Sequence, residues 1–188
     1  MNILLLGAPG SGKGTLGEKI ARQGYNPIVA GDILRNARET DTELGRRIKE
    51  IMGKGNLLPD EIINEIIASR LPYIKQPYLL DGYPRKLSQV KFFETISTIE
   101  LVIYLEITDE ILKERILNRG KTSNRIDDQS IDIINNRIEQ YKSETFPLVE
   151  YYTKKGILHT IDTNKSPDEV YIEFGEILIK SFLNQFNK

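Results

Sequence analysis

The chain has 188 residues, 39% of them hydrophobic and 28% charged, a balance that fits one domain with a single core and excludes global disorder and two full-size domains. Lysines and arginines number 26 against 27 aspartates and glutamates, so a formal charge of −1 gives no overall field favouring nucleic acid or a membrane surface. Without cysteine, and with His159 as its single histidine, the chain is restricted to chemistry done by Lys, Arg, Asp, hydroxyls and backbone.

In chain order, short apolar segments at Asn2–Leu6, Pro27–Val29, Tyr78–Leu80, Leu101–Leu105 and Ile157–Ile161 read as buried strands, each followed by a helical pattern. Such alternation predicts an α/β fold, a five-stranded parallel sheet with helices on both faces. Between Val29 and Tyr78 the rhythm breaks, because two or three helical patterns occur there without a strand. This interval reads as a helical insertion. In its GNLLPDE turn (Gly55–Glu61), Pro59 stands at the start of the next helix and Asp60 and Glu61 in the first turn, where carboxylates favour the dipole. Ile62, Ile63, Ile66 and Ile67 form one face of that helix, as Val170, Phe174, Ile177 and Leu178 do of the last one. A long polar helix is expected over roughly Ile131–Lys154, with Gly156 as its terminator. His159 alternates with Leu158 and Thr160 in a strand pattern and reads as structural. No apolar run approaches the roughly 20 residues of a membrane-crossing helix, and the chain opens on a strand-like run without a secretory pattern. Its expected location is the cytoplasm.

The first strand runs directly into GAPGSGKGT, Gly7–Thr15, followed by Leu16, Ile20 and Ala21 at helical spacing. This is a phosphate-binding loop in its required context: glycines let amide hydrogens converge on one concavity, the helix adds its positive N-terminus, and Lys13 offers a charge to a triphosphate. The residue after Lys13 is Gly14 rather than a magnesium-holding Ser or Thr, and Thr15 follows one position later.

GxPGxGKGT resembles the loop of the adenylate kinase family and its nucleoside monophosphate kinase relatives. The resemblance extends in order through VAGDILR (Val29–Arg35), GNLLPDE, LLDGYPRKLSQ (Leu79–Gln89) and RILNRGKTSNRIDD (Arg115–Asp128), and covers nearly the whole chain. It implies a single kinase domain over residues 1–188 with a monophosphate-binding insert at 30–59 and a short lid at 119–126, without zinc. It also implies phosphoryl transfer from MgATP to AMP, giving two ADP.

On that resemblance Gly10, Ser11, Gly12, Lys13, Gly14, Thr15, Arg119 and Lys165 bind ATP. The monophosphate set is Ala30, Arg35, Asn56, Leu57, Leu58, Gly82, Tyr83, Pro84, Arg85, Gln89, Arg125 and Arg137. Lys13, Arg85, Arg119, Arg125 and Arg137 are the expected catalytic residues, since phosphoryl transfer is stabilised mainly by charge and alignment. The interval from Arg125 to Arg137 is one residue longer than the family's usual spacing, which places an insertion around Gln129–Ile134 and leaves that helix's phase open. Asp81 is expected at the C-terminal edge of its strand, where it can orient magnesium-bound water or bond loop backbone. Asp32 is expected to cap the helix carrying Arg35, and Asp127 and Asp128 either position lid arginines or cap the next helix. The matching Phe-Pro dipeptide of the family implies a cis bond at Tyr83–Pro84.

For the acceptor base, Gln89 resembles the adenylate kinases, whereas Ala30 resembles the UMP/CMP kinases. A bidentate amide contact outweighs one missing hydroxyl, so AMP is the expected acceptor and a UMP/CMP kinase the alternative. An inactive nucleotide-binding switch is the reading from another class, and the arginines at 35, 85, 119 and 125 argue against it. The expected partners are ATP and AMP, with no nucleic acid or membrane, and the chain is expected to be a monomer.

Overall fold

The computed structural model describes residues 1–122 and 130–186, with side chains described for 1–118 and 130–184. Every residue of β1 (Ile3–Gly7) is buried, as an uninterrupted apolar run demands of a strand covered on both faces. It pairs in parallel with β3 (Tyr78–Asp81) on one side and β4 (Leu101–Glu106) on the other. With β2 (Asn26–Val29) and β5 (Leu158–Asp162) at the edges, the sheet order is β2-β3-β1-β4-β5. The expected parallel five-stranded architecture is therefore present, with strand ends displaced by about one residue. Asn2 falls just outside β1 because its side chain is used elsewhere: Oδ1 accepts from the Tyr78 amide and Nδ2 donates to Thr98 O.

Alternation along the strands divides the core into two faces. Leu16 and Ile20 of α1 (Lys13–Ala21), with Val170 and Phe174 of α9 (Pro167–Phe186), cover Ile3, Leu5 and Ile103. On the opposite face Ile63 and Ile67 of α4 (Asp60–Arg70), Val90 and Phe93 of α5 (Leu87–Phe93), and Leu148 and Tyr152 of α8 (Pro147–Lys154) cover Leu4, Leu6 and Leu80. Full burial of each large apolar side chain contributes about 1.5–3 kcal/mol. A third cluster joins α6 (Asp109–Thr122) to α7 (Ile131–Gln140) through Leu112, Ile116, Ile134 and Ile138, beneath Ala8 of the glycine-rich loop. Because α1 follows β1 on one face while α5 follows β3 on the other, a crevice opens between the C-terminal ends of these neighbouring strands. The interval between β2 and α4 holds α2 (Ala30–Arg38) and α3 (Glu43–Gly53), with no strand.

Two local expectations are corrected. The helix expected over Ile131–Lys154 is interrupted: after Gln140 the chain makes a π-helical turn over Tyr141–Thr145, marked by Phe146 N donating to Tyr141 O at 2.8 Å, before α8 begins at Pro147. Pro147 has no N–H for the regular ladder and its ring would press on the carbonyl four residues earlier, so the wider turn accommodates it. Asp32 does not cap α2. The helix starts directly from Val29 without a side-chain cap, and Asp32 sits inside its first turn, ion-paired with Arg35. Gly156 does end α8 with φ +70°.

Candidate active site

The glycine-rich loop occupies the C-terminal end of the central strand. A Cβ on Gly7 would lie 2.9 Å from Leu105 O, so this position admits only glycine where β1 passes β4. Gly12, the N-cap of α1, takes φ +96°, a left-handed conformation costly to other residues. The loop turns back through Ser11 N to Ala8 O at 3.1 Å. Lys13 lies along it, donating to Gly7 O at 2.8 Å and Ala8 O at 2.9 Å, which holds the ammonium over the concavity. The Ser11 hydroxyl is fully buried and has no hydrogen-bond partner among the described residues.

A cavity of about 800 Å³ extends from this loop across the crevice to the α2–α3 segment. Gly10 to Thr15 line one end of it. Ala30, Arg35, Asn56, Leu57 and Leu58 line the other, together with Gly82, Pro84, Arg85 and Gln89 from the segment after β3. Arg137 and Lys165 complete the set. Among the described residues, six cationic side chains line the cavity (Lys13, Arg35, Arg85, Arg115, Arg137 and Lys165) against three carboxylates (Glu18, Asp32 and Asp81). In a chain of net charge −1, this makes the cavity locally cationic and suited to polyanions.

Backbone close to each arginine sets its direction. Arg35 folds over Gly31, whose absent side chain leaves room for the guanidinium. Arg85 donates from Nε to Gly82 O at 2.9 Å across the turn formed by Gly82 and the cis Tyr83–Pro84 bond. The position of Arg137 settles the open helical phase: Ile134 and Ile138 pack inward against α6 while Arg137 faces the cavity beside Gly55. Asn136 fastens this helix to the turn before α4, donating to Lys54 O at 2.7 Å and Asn56 Oδ1 at 2.9 Å. Gln89, 3% exposed, accepts from Arg85 N at 2.7 Å and donates to Asp60 Oδ1 at 2.8 Å.

Tyr83 does not line the cavity. Its ring is buried edge-on to Phe93, its hydroxyl donates to Asn64 Oδ1 at 2.7 Å, and burial, with the Asp60 charge second, pushes the phenol well above its ordinary range. The side chains of Arg119 and Arg125, with Asp127 and Asp128, lie outside the described residues. His159 stands in β5 opposite Ile103, away from the cavity lining. Lys165 pairs with Glu173 at 3.0 Å, and that hydrogen bond raises its pKa.

Among the described residues, one cationic lining residue was given no role from the sequence. Arg115 lies one helical turn before Arg119 and donates to Thr163 O at 2.7 Å, joining α6 to the end of β5. Its position in the RILNRG repeat of arginines was the available signal. Tyr141 borders the cavity from the π-helical turn, and burial followed by its contact with the Tyr104 hydroxyl raises its pKa.

Among the described residues no group of three or more His, Cys, Asp or Glu is placed to hold a metal ion. Asp81 ends β3 beside Leu5, faces the cavity, and its carboxylate makes no ion pair or hydrogen bond with a described residue. A single carboxylate with oxygen chemistry only fits a hard divalent cation that keeps most of its water.

The family model described as adenylate kinase matches residues 5–157. Curated relatives share that description along their lengths. One from Leuconostoc mesenteroides subsp. mesenteroides is 38% identical over 186 residues, covering 94% of this chain and 96% of the relative. One from Prochlorococcus marinus is 40% identical over 182 residues, with 94% and 97% covered. A third, from Methanosarcina barkeri, is 40% identical over 215 residues, with 96% and 99% covered.

Proposed function

The chain belongs to the adenylate kinase family and transfers a phosphoryl group between ATP and AMP, and from that premise we propose which of its residues carry the reaction. The observation that supports the assignment is one cationic cavity with the phosphate-binding loop at one end and Arg35, Arg85 and Gln89 at the other. ATP takes the loop end. Its outer phosphates meet the amides of Gly10 to Thr15 and the Lys13 ammonium, with Arg119 and Lys165 beside the nucleoside. AMP takes the other end, its phosphate held by Arg35 and Arg85 and its base by Ala30, Asn56, Leu57, Leu58 and Gln89.

Transfer then needs two oxygens in line and charge compensation on the moving group. Lys13, Arg85 and Arg137 face this space, and Arg119 and Arg125 of the lid at 119–126 close over it, excluding water that would otherwise take the phosphoryl group. The insert at 30–59 closes from the acceptor side. As a nucleotide kinase the enzyme uses MgATP; Asp81 would hold magnesium through water, and the ion, when bound, neutralises phosphate charge. We assign a monomer, since one chain's residues line both ends of the cavity. We assign it to the cytoplasm, because a chain without cysteine has no disulfide that needs an oxidising compartment. Nucleic acid and membrane are not assigned as partners, on the balanced net charge.

Two adenosines joined through five phosphates test the arrangement. Such a compound should bind about 10²-fold or more tighter than ATP, because one molecule fills both ends without a second loss of translational freedom. Affinity equal to that of ATP would refute facing sites.

A further inference from the structure

Gln89 carries a side-chain amide whose two ends differ: the oxygen only accepts and the NH2 only donates. Both ends are held by the protein. The backbone N–H of Arg85 donates to Oε1 at 2.7 Å, and Nε2 donates to Asp60 Oδ1 at 2.8 Å. Rotating the amide by half a turn would place NH2 against an N–H and oxygen against a carboxylate, losing both hydrogen bonds and facing like with like. The two contacts therefore permit one orientation. Asp60 is itself restrained at the start of α4, with Oδ2 accepting from the Ser88 hydroxyl and Lys86 Nζ 3.9 Å from Oδ1. Since Gln89 is 3% exposed and lines the cavity, one lone pair and one N–H remain, in a set order, for a bound base.

We infer that Asp60 is a specificity-positioning residue: by locking the Gln89 amide it makes the acceptor end read a 6-amino group beside an unprotonated ring nitrogen and reject a 6-oxo group beside a ring N–H. The inference rests on the reading that Gln89 faces the acceptor base. AMP and IMP present these two opposite patterns on otherwise similar purine monophosphates. Removing Asp60 leaves only the Arg85 amide to oppose amide rotation, so the barrier to reading IMP falls while the fold around α4 keeps its apolar anchors Ile63 and Ile67.

The test compares kcat/KM for AMP and for IMP with MgATP in the unmodified enzyme, Asp60→Ala, Asp60→Asn and Gln89→Leu, with the KM for ATP as an internal reference. Asp60→Ala should lower the AMP-over-IMP ratio about tenfold, chiefly through the two acceptor KM values, as expected when one base-reading contact is relaxed. Asp60→Asn should retain most of the ratio, because its side-chain carbonyl can still accept from Gln89 Nε2. An unchanged ratio in Asp60→Ala, with the ratio lost in Gln89→Leu, would overturn the role of Asp60 and leave the base reading standing. A ratio unchanged in Gln89→Leu would overturn the base reading and this inference with it. If Asp60→Ala does not fold, Asp60→Ser, which also lacks a carboxylate, carries the same expectation and the same refutation.

Discussion

Replacing Lys13 with Met keeps an unbranched stem of similar length and removes the charge. The ammonium lies 2.8 Å from Gly7 O and 2.9 Å from Ala8 O, so the folded protein loses two hydrogen bonds. Gly7 lines the cavity, so water can replace the ammonium at its carbonyl, and the lost hydrogen bonds together cost about 1–3 kcal/mol of stability. The reaction loses more. A unit charge about 4 Å from a phosphate oxygen is worth about 4 kcal/mol at an effective dielectric constant of about 20. Removal of single electrostatic donors from active sites costs about 2.7–4 kcal/mol, so turnover should fall by about 10²–10³. A coupled assay of ADP formation at saturating ATP and AMP reads the turnover, and a thermal melt confirms that the variant is folded. A folded Lys13→Met protein within threefold of normal turnover would refute the electrostatic argument.

Arg85→Ala removes a guanidinium oriented by Gly82 O and should raise the KM for AMP about tenfold to a hundredfold, the worth of a charge-assisted hydrogen bond, with a much smaller change for ATP. Initial-rate kinetics with each substrate varied would show it, and an effect confined to ATP would place Arg85 at the wrong end. Burial, as the largest cause, holds the phenols of Tyr25, Tyr78, Tyr83, Tyr141 and Tyr152 above their ordinary value of 10. The folded chain thus keeps protons that the unfolded chain releases, so stability is at its full value below pH 10 and falls as pH rises beyond it. Phenolate absorbance of the native chain should lag that of the urea-unfolded chain between pH 10 and 11, and superimposable curves would contradict the assigned burial.

Strands were legible wherever burial on both faces leaves a continuous apolar run, as in Ile3–Gly7, and Asp81 joined β3 only because its backbone pairs with Leu5 and Val29. The glycine-rich loop was equally plain, since its conformation depends on nearby residues. What local pattern could not give was contact between distant segments. The inward turn of Tyr83 depends on Asn64 and Phe93, and the hold on Gln89 depends on Asp60, 29 residues away. The π-helical turn was hidden because Tyr141–Thr145 has the composition of an ordinary helix, and only the later Pro147 disturbs it. Asp32 looked like a cap because Asp favours that position, yet β2 passes straight into α2 and leaves no preceding turn for a capping residue.

The acceptor is decided between Gln89, which is buried in the cavity wall with its amide oriented, and Ala30, which is also buried and offers no hydroxyl. A panel of AMP, CMP, UMP and GMP assayed as acceptors with MgATP, each product identified as well as its rate, measures the outcome directly. AMP should be preferred in kcat/KM by about tenfold to a hundredfold and should yield ADP as the sole product, as a bidentate contact to one base edge predicts. A higher kcat/KM for CMP or UMP would contradict the account and make Ala30 the residue that sets the base.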